Sequence, residues 1–159
     1  MIDAANSTGG NDPFELIRFI KAQDRVYDRV LLELRSGCKR THWMWFVFPQ
    51  IDGLGHSSTT KYYSIKSAEE ARLYLNHPVL GKRLRECAES LLALEGLSAS
   101  RIFGYPDDLK LKSSMTLFAS VAEQRSVFSR VLEKYFQGAR DERTVDLLDR
   151  LEQKRNAGK

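Results

Sequence analysis

Two blocks of the sequence combine side chains that can bind or transform a small molecule. The first is Lys39-Arg40-Thr41-His42-Trp43-Met44-Trp45-Phe46-Val47-Phe48-Pro49-Gln50. His42 stands there between basic residues and two indoles, and an imidazole titrating near pH ~6.5 can act as a general acid or base or donate to a phosphate. It can equally be a core histidine with both ring nitrogens satisfied. Lys39 can attract a phosphate while Trp43 or Trp45 stacks on a base, and Gln50 closes the block with an amide. The loop that follows, Asp52 to Thr60, presents Gly53 and Ser57 at the edge of a buried segment, where binding groups are commonly held. The second block is Lys110, Ser113 and Ser114, whose i, i+3, i+4 spacing places an amine and two hydroxyls on one helix face. Such a face can hold an anion through charge-assisted hydrogen bonds, or be a solvated face with no ligand. A serine–lysine nucleophile is disfavoured, because the order is Lys-x-x-Ser and no oxyanion donors accompany it.

Other chemistries find no support. Gly53-Leu54-Gly55 is a tight turn rather than a phosphate-loop or dinucleotide fingerprint. Cys38 and Cys87 are the two cysteines, with no CxxC or His/Cys cluster, so neither a metal, a cofactor nor a disulfide scaffold is expected. The formal charge of +4 is mild, but its placement is not uniform. Between Ser36 and Ser67, Lys39, Arg40, Lys61 and Lys66 face the single acid Asp52. This basic excess coincides with Trp43, Trp45, Phe46, Phe48, Tyr62 and Tyr63. Nucleic-acid binding is not expected, since no recognition motif accompanies the few charges.

The elements that must position these groups read as helices. With 159 residues, 42% hydrophobic and 29% charged, the chain is sized for one core. Asp12-Pro13 marks a helix start, and apolar residues at helical spacing run to Gly37, in one long helix or two broken near Gln23 and Asp24. Ser67 and Glu70 have capping-box spacing, and His77-Pro78 breaks the chain before a helix from Leu80 that ends at Gly96. Ile102 to Gly104 reads as a turn. Pro106 with Asp107 and Asp108 starts a helix with Leu111, Met115, Phe118 and Ala122 on its buried stripe. Further helices run to Gly138 and onward from Asp141. The six apolar residues from Trp43 to Phe48 leave no polar face, so this piece is a short buried helix or an extended core segment. The predicted fold class is therefore all-α, a compact single-domain multi-helix bundle with a buried aromatic segment. A flexible tail is expected over residues 1–11, the domain over 12–152, and a frayed end over 153–159. No apolar run spans a bilayer and no secretory signal opens the chain, so a cytoplasmic protein without a membrane partner is expected.

Four blocks in order are Gly37 through Gln50, Gly53-Leu54-Gly55, His77 through Leu84, and Phe103-Gly104 followed by Asp108, Lys110 and Ser113 through Phe118. Together they resemble a bacterial domain-of-unknown-function family that often carries a calpastatin-like label. The resemblance covers about residues 12 to 137 and implies a mostly helical single domain. Calpastatin-type inhibitors are long, disordered and repetitive, unlike this short, apolar chain. The helix pair from Leu109 to Tyr135 is also similar to the core helices of NADAR-type proteins, which implies a ligand of the NAD or ADP-ribose class. An N-glycosidase of that kind needs a carboxylate near the scissile bond; Asp52 and Asp108 are the nearest by sequence, and His42 with Asp108 is the expected catalytic pair. The functional expectation is a pocket walled by residues 39–60 and 110–116 that binds, and can hydrolyse, a phosphorylated nucleotide-like molecule. The alternative is a non-catalytic protein-interaction module built on Trp43 and Trp45.

Overall fold

Asp12 prepares the first helix by accepting from the backbone N–H groups of Leu16 (2.7 Å) and Ile17 (3.0 Å). Pro13 therefore lies in the turn ahead of the first helix, α1 (Ile17–Asp24), and not inside it. The computed structural model describes residues 11–158. The expected N-terminal tail, Asn11 excepted, lies outside the described residues, as does Lys159. The chain breaks at Arg25–Val26 and resumes as α2 (Tyr27–Ser36), which Gly37 stops in the left-handed conformation at φ 75°. That conformation favours glycine because it has no Cβ to clash.

The aromatic segment forms one short helix, α3 (Met44–Val47). It is followed by α4 (Ser58–Tyr63), which Ser57 caps by accepting from Thr60 N. A lone parallel bridge, Ile51 with Ile65, clasps the two ends of this loop, and among the described residues no strand forms. Next come α5 (Ala68–Asn76), capped by Ser67, and α6 (Leu80–Ala93). Between them His77 Nδ1 accepts from Val79 N (3.1 Å) and Leu80 N (3.3 Å), which starts α6 after the proline break. The segment expected as a turn is a helix, α7 (Ala99–Phe103), because Ser98 caps it by accepting from Arg101 N. The last three are α8 (Asp107–Val121), α9 (Val127–Phe136) and α10 (Glu142–Ala157). Asp141 caps α10, which runs five residues past 152 with its end exposed.

The all-α architecture is the one the periodicity predicts, with ten helices among the described residues. Its centre is α8, which packs against α3, α5, α7, α9 and α10. Seven consecutive residues, Ser113 through Ala119, are buried. A single apolar stripe on α8 was the expectation, and the structure corrects it. A helix covered on most sides buries its polar positions too. A ladder of rings crosses the core: Phe19 to Tyr74 (5.1 Å), Tyr74 to Phe118 (5.3 Å) and Phe118 to Phe128 (5.9 Å). Such offset and edge contacts add to the area they bury.

Candidate functional site

The segment that carries His42 and the tryptophans is shaped by a residue of α2. Glu33 lies on the inner side of α2 with Val30 and Leu34 and is 6% exposed. Its Oε1 accepts from Arg40 N (2.9 Å), Thr41 N (3.1 Å) and Trp43 Nε1 (2.9 Å), and its Oε2 from Thr41 Oγ1 (2.7 Å). Burial pushes this carboxyl up, but the four hydrogen bonds outweigh it and hold the group down to about 2. A carboxylate with several donors stays ionised without a cation. The chain after Gly37 thus folds over a buried anion, and the Trp43 indole finds its partner there at 1% exposure.

From the other side the same segment is held by α7 and α8. Lys39 N donates to Ile102 O at 2.8 Å. Lys39 Nζ lies 2.9 Å from Asp107 Oδ2, donates to Thr41 O at 2.6 Å, and sits 5.0 Å from the Trp43 ring. Asp107 Oδ1 is 3.4 Å from Lys110 Nζ, and Lys110 in turn lies 5.4 Å from the Trp45 ring. One carboxylate therefore bridges two ammonium groups at the first turn of α8. The two lysines differ in access, with side-chain exposures of 5% for Lys39 and 28% for Lys110. Lys39 is a buttress, whereas Lys110 and Trp45 are each partly exposed.

The remaining candidates are dispersed. His42 is exposed, and no hydrogen bond joins it to Asp108, whose Oδ1 accepts from Leu109 N at 2.9 Å. Gln50 is half-buried and its backbone oxygen accepts from Ile65 N. Gly53, at φ 106°, faces Leu147 of α10, and the Ser57 hydroxyl is committed to capping α4. Ser113 Oγ lies 3.1 Å from the carboxylate of Asp141. An acid at that distance opposes an anion. Ser114 Oγ is buried with no partner. The amine and two hydroxyls of α8 share a helix but not a surface, because the face between them is covered. One open hollow of about 470 Å³ lies along α2 and another of about 400 Å³ lies along α6 beside Arg35, and neither is lined by α8 or by residues 42–60. Of the expected wall of residues 39–60 and 110–116, Arg40 and Thr41 line the larger hollow and no residue lines the smaller.

Pairing also redistributes the basic excess. Lys39 is matched by Asp107 and Lys66 by Asp52, leaving Arg40 and Lys61 without an ion pair among the described residues. Glu33 and Asp107, the two acids that organise the segment, carry no local sequence signal of that role. Glu33 resembles any helical glutamate, and Asp107 reads as an ordinary first-turn acid. Among the described residues no helix is long and apolar enough to cross a membrane, and no His, Cys, Asp or Glu cluster gathers that could hold a metal ion.

Comparison with known proteins agrees with the fold. The crystal structure of the conserved hypothetical protein Rv1873 from Mycobacterium tuberculosis is similar at a TM-score of 0.85 and 54% identity, over 87% of this chain and 99% of that one. No curated protein matches. Residues 13–148 match the family described as "Protein of unknown function (DUF1810)", a span that contains α1 to α9, the Glu33-anchored segment and the start of α10, and the chain belongs to that family.

Proposed function

We propose that the chain binds a small phosphorylated, nucleotide-like ligand on the face formed by the first turn of α8 and the segment from Lys39 to Trp45. The observation that carries this reading is Lys110 poised 5.4 Å from the Trp45 ring, with both groups partly open. A phosphate would meet the ammonium, and a planar base would stack on the indole that Lys110 now covers. His42, exposed on the same segment, would extend the donor set. The resemblance to NADAR-type proteins read from the sequence of Leu109 to Tyr135 would point to an ADP-ribose-like ligand. Hydrolysis would fall to Asp108, whose second carboxylate oxygen is uncommitted, with His42 as the proton carrier.

Thermal-shift and calorimetric titrations with ADP-ribose, NAD, AMP and inorganic phosphate test this. The melting temperature should rise with a phosphorylated ligand, and the rise should vanish in Lys110→Ala and Trp45→Ala while persisting in Ser113→Ala. A flat response to all four ligands sinks the proposal. If a ligand binds, chromatography of the incubated mixture with wild type and Asp108→Asn decides whether it is turned over.

A protein-interaction module is the second reading. Trp43 is too buried to serve it. What favours it is Tyr105 at 80% exposure and Leu109 at 49%, flanking the same turn of α8. Apolar groups left exposed in this way are common at interfaces.

A further inference from the structure

Of the bases in the aromatic segment, Arg40 is the one whose charge is left over beside it. Its backbone N–H is pinned by Glu33 at 2.9 Å, while its side chain is exposed and makes no ion pair among the described residues. Arg40 lines the 470 Å³ hollow together with Arg29, Leu32, Glu33, Ser36 and Thr41. Arg29 is likewise exposed and unpaired among the described residues. Leu32 is 70% exposed on a helix whose neighbouring Val30, Leu31 and Leu34 are all buried.

The polar groups of the hollow are otherwise spent. Ser36 Oγ donates to Glu33 O at 2.8 Å, Thr41 Oγ1 donates to Glu33 Oε2, and that carboxylate already holds four donors. What remains for a partner is aliphatic surface and two guanidinium groups. A nucleotide would find no aromatic face here, and a nucleic acid would need a longer basic track than two arginines, with Asp28 one turn before Leu32. Arginine matches carboxylates through paired donors, and an exposed leucine calls for an apolar side chain to cover it. We infer that this α2 hollow docks an acidic peptide segment that sets one apolar side chain on Leu32 with carboxylates reaching Arg29 and Arg40. The surface is separate from the Lys110 face and does not depend on its ligand.

An unbiased selection tests the assignment. Short random peptides displayed on phage are selected on the full chain and counter-selected on the Arg29→Glu/Arg40→Glu variant. Enrichment of Asp and Glu around a Leu, Ile or Phe supports docking; no enrichment, or enrichment indifferent to charge, overturns it. The peptide so obtained is then measured by fluorescence polarisation. Leu32→Ser should weaken it about tenfold, the double charge reversal by more and with loss of salt dependence, and Lys110→Ala not at all. All three positions are solvent-facing, so circular dichroism should show the variants folded. Binding that survives Leu32→Ser, or that is lost in Lys110→Ala, places the peptide elsewhere and overturns the inference.

Discussion

Glu33 is the residue on which the candidate site most depends, because one carboxylate satisfies three backbone and side-chain N–H groups and a hydroxyl. Its carboxyl is lowered from 4.5 to about 2. A group depressed on folding stabilises the protein fully above its unfolded pKa, and that contribution is lost as pH falls through the folded one. The chain should therefore lose stability between pH 4.5 and about 2, by ~3 kcal/mol from this group. Urea midpoints across that window should fall steeply for wild type and less steeply for Glu33→Gln; equal slopes would assign the acid limb to other carboxylates. Ser114 makes the opposite case. Its hydroxyl is buried without a partner, and such a group carries a desolvation cost with no return. Ser114→Ala should leave the melting temperature unchanged or raise it by the equivalent of ~1 kcal/mol. A clear loss of stability would mean that the hydroxyl has a partner in solution.

At the scale of elements, a helix boundary is legible in the sequence where its cap is a local signal. Ser67 and Asp141 each accept from the N–H three residues on, and Gly37 stops α2 through its own conformation. The contact between α5 and α6 is not legible. A Cβ on Gly81 would meet the carbonyl oxygen of Leu75 at 1.9 Å, so the two backbones touch where a side chain would hold them apart. Backbone cannot step aside as a flexible side chain can. Gly81→Ala should cost ~3 kcal/mol, read as a lowered melting temperature. A variant as stable as wild type would show that α6 can shift without loss. The same limit applies to α7, a five-residue helix too short for its period to be seen.

Across the whole molecule, Arg18 ties the N-terminal helix to the loop and helix that follow the aromatic segment. Its five N–H donors reach the carbonyls of Phe14, Glu15, Tyr62 and Ser64 and the carboxylate of Glu70. Both charged side chains are nearly inaccessible, at 7% and 0%. Breaking such a pair strands a buried charge, so Glu70→Gln should destabilise the fold by ~3 kcal/mol or more. Replacing both partners with apolar residues should not restore stability here, although it often does elsewhere, because four carbonyls would lose their donors. Denaturation of the two single variants and the double variant checks this, and a double variant as stable as wild type would refute it.

The sequence by itself determined that the chain is all-α, where α5, α6, α8 and α10 begin and where α2 stops, and which segment has to be buried. Those signals act within a turn or two of the backbone. Only the tertiary structure decided which of the charged and polar groups remain available. Lys39 is neutralised by Asp107, Ser113 is turned toward Asp141, and Trp43 is drawn onto Glu33. Each of these partners arrives by folding from a different element, and whether a charge is free depends on what is packed against it. The basic aromatic segment thus divides into a buried buttress at Lys39 and Trp43, a partly exposed pair at Lys110 and Trp45, and an Arg40 that faces α2 without an ion pair among the described residues.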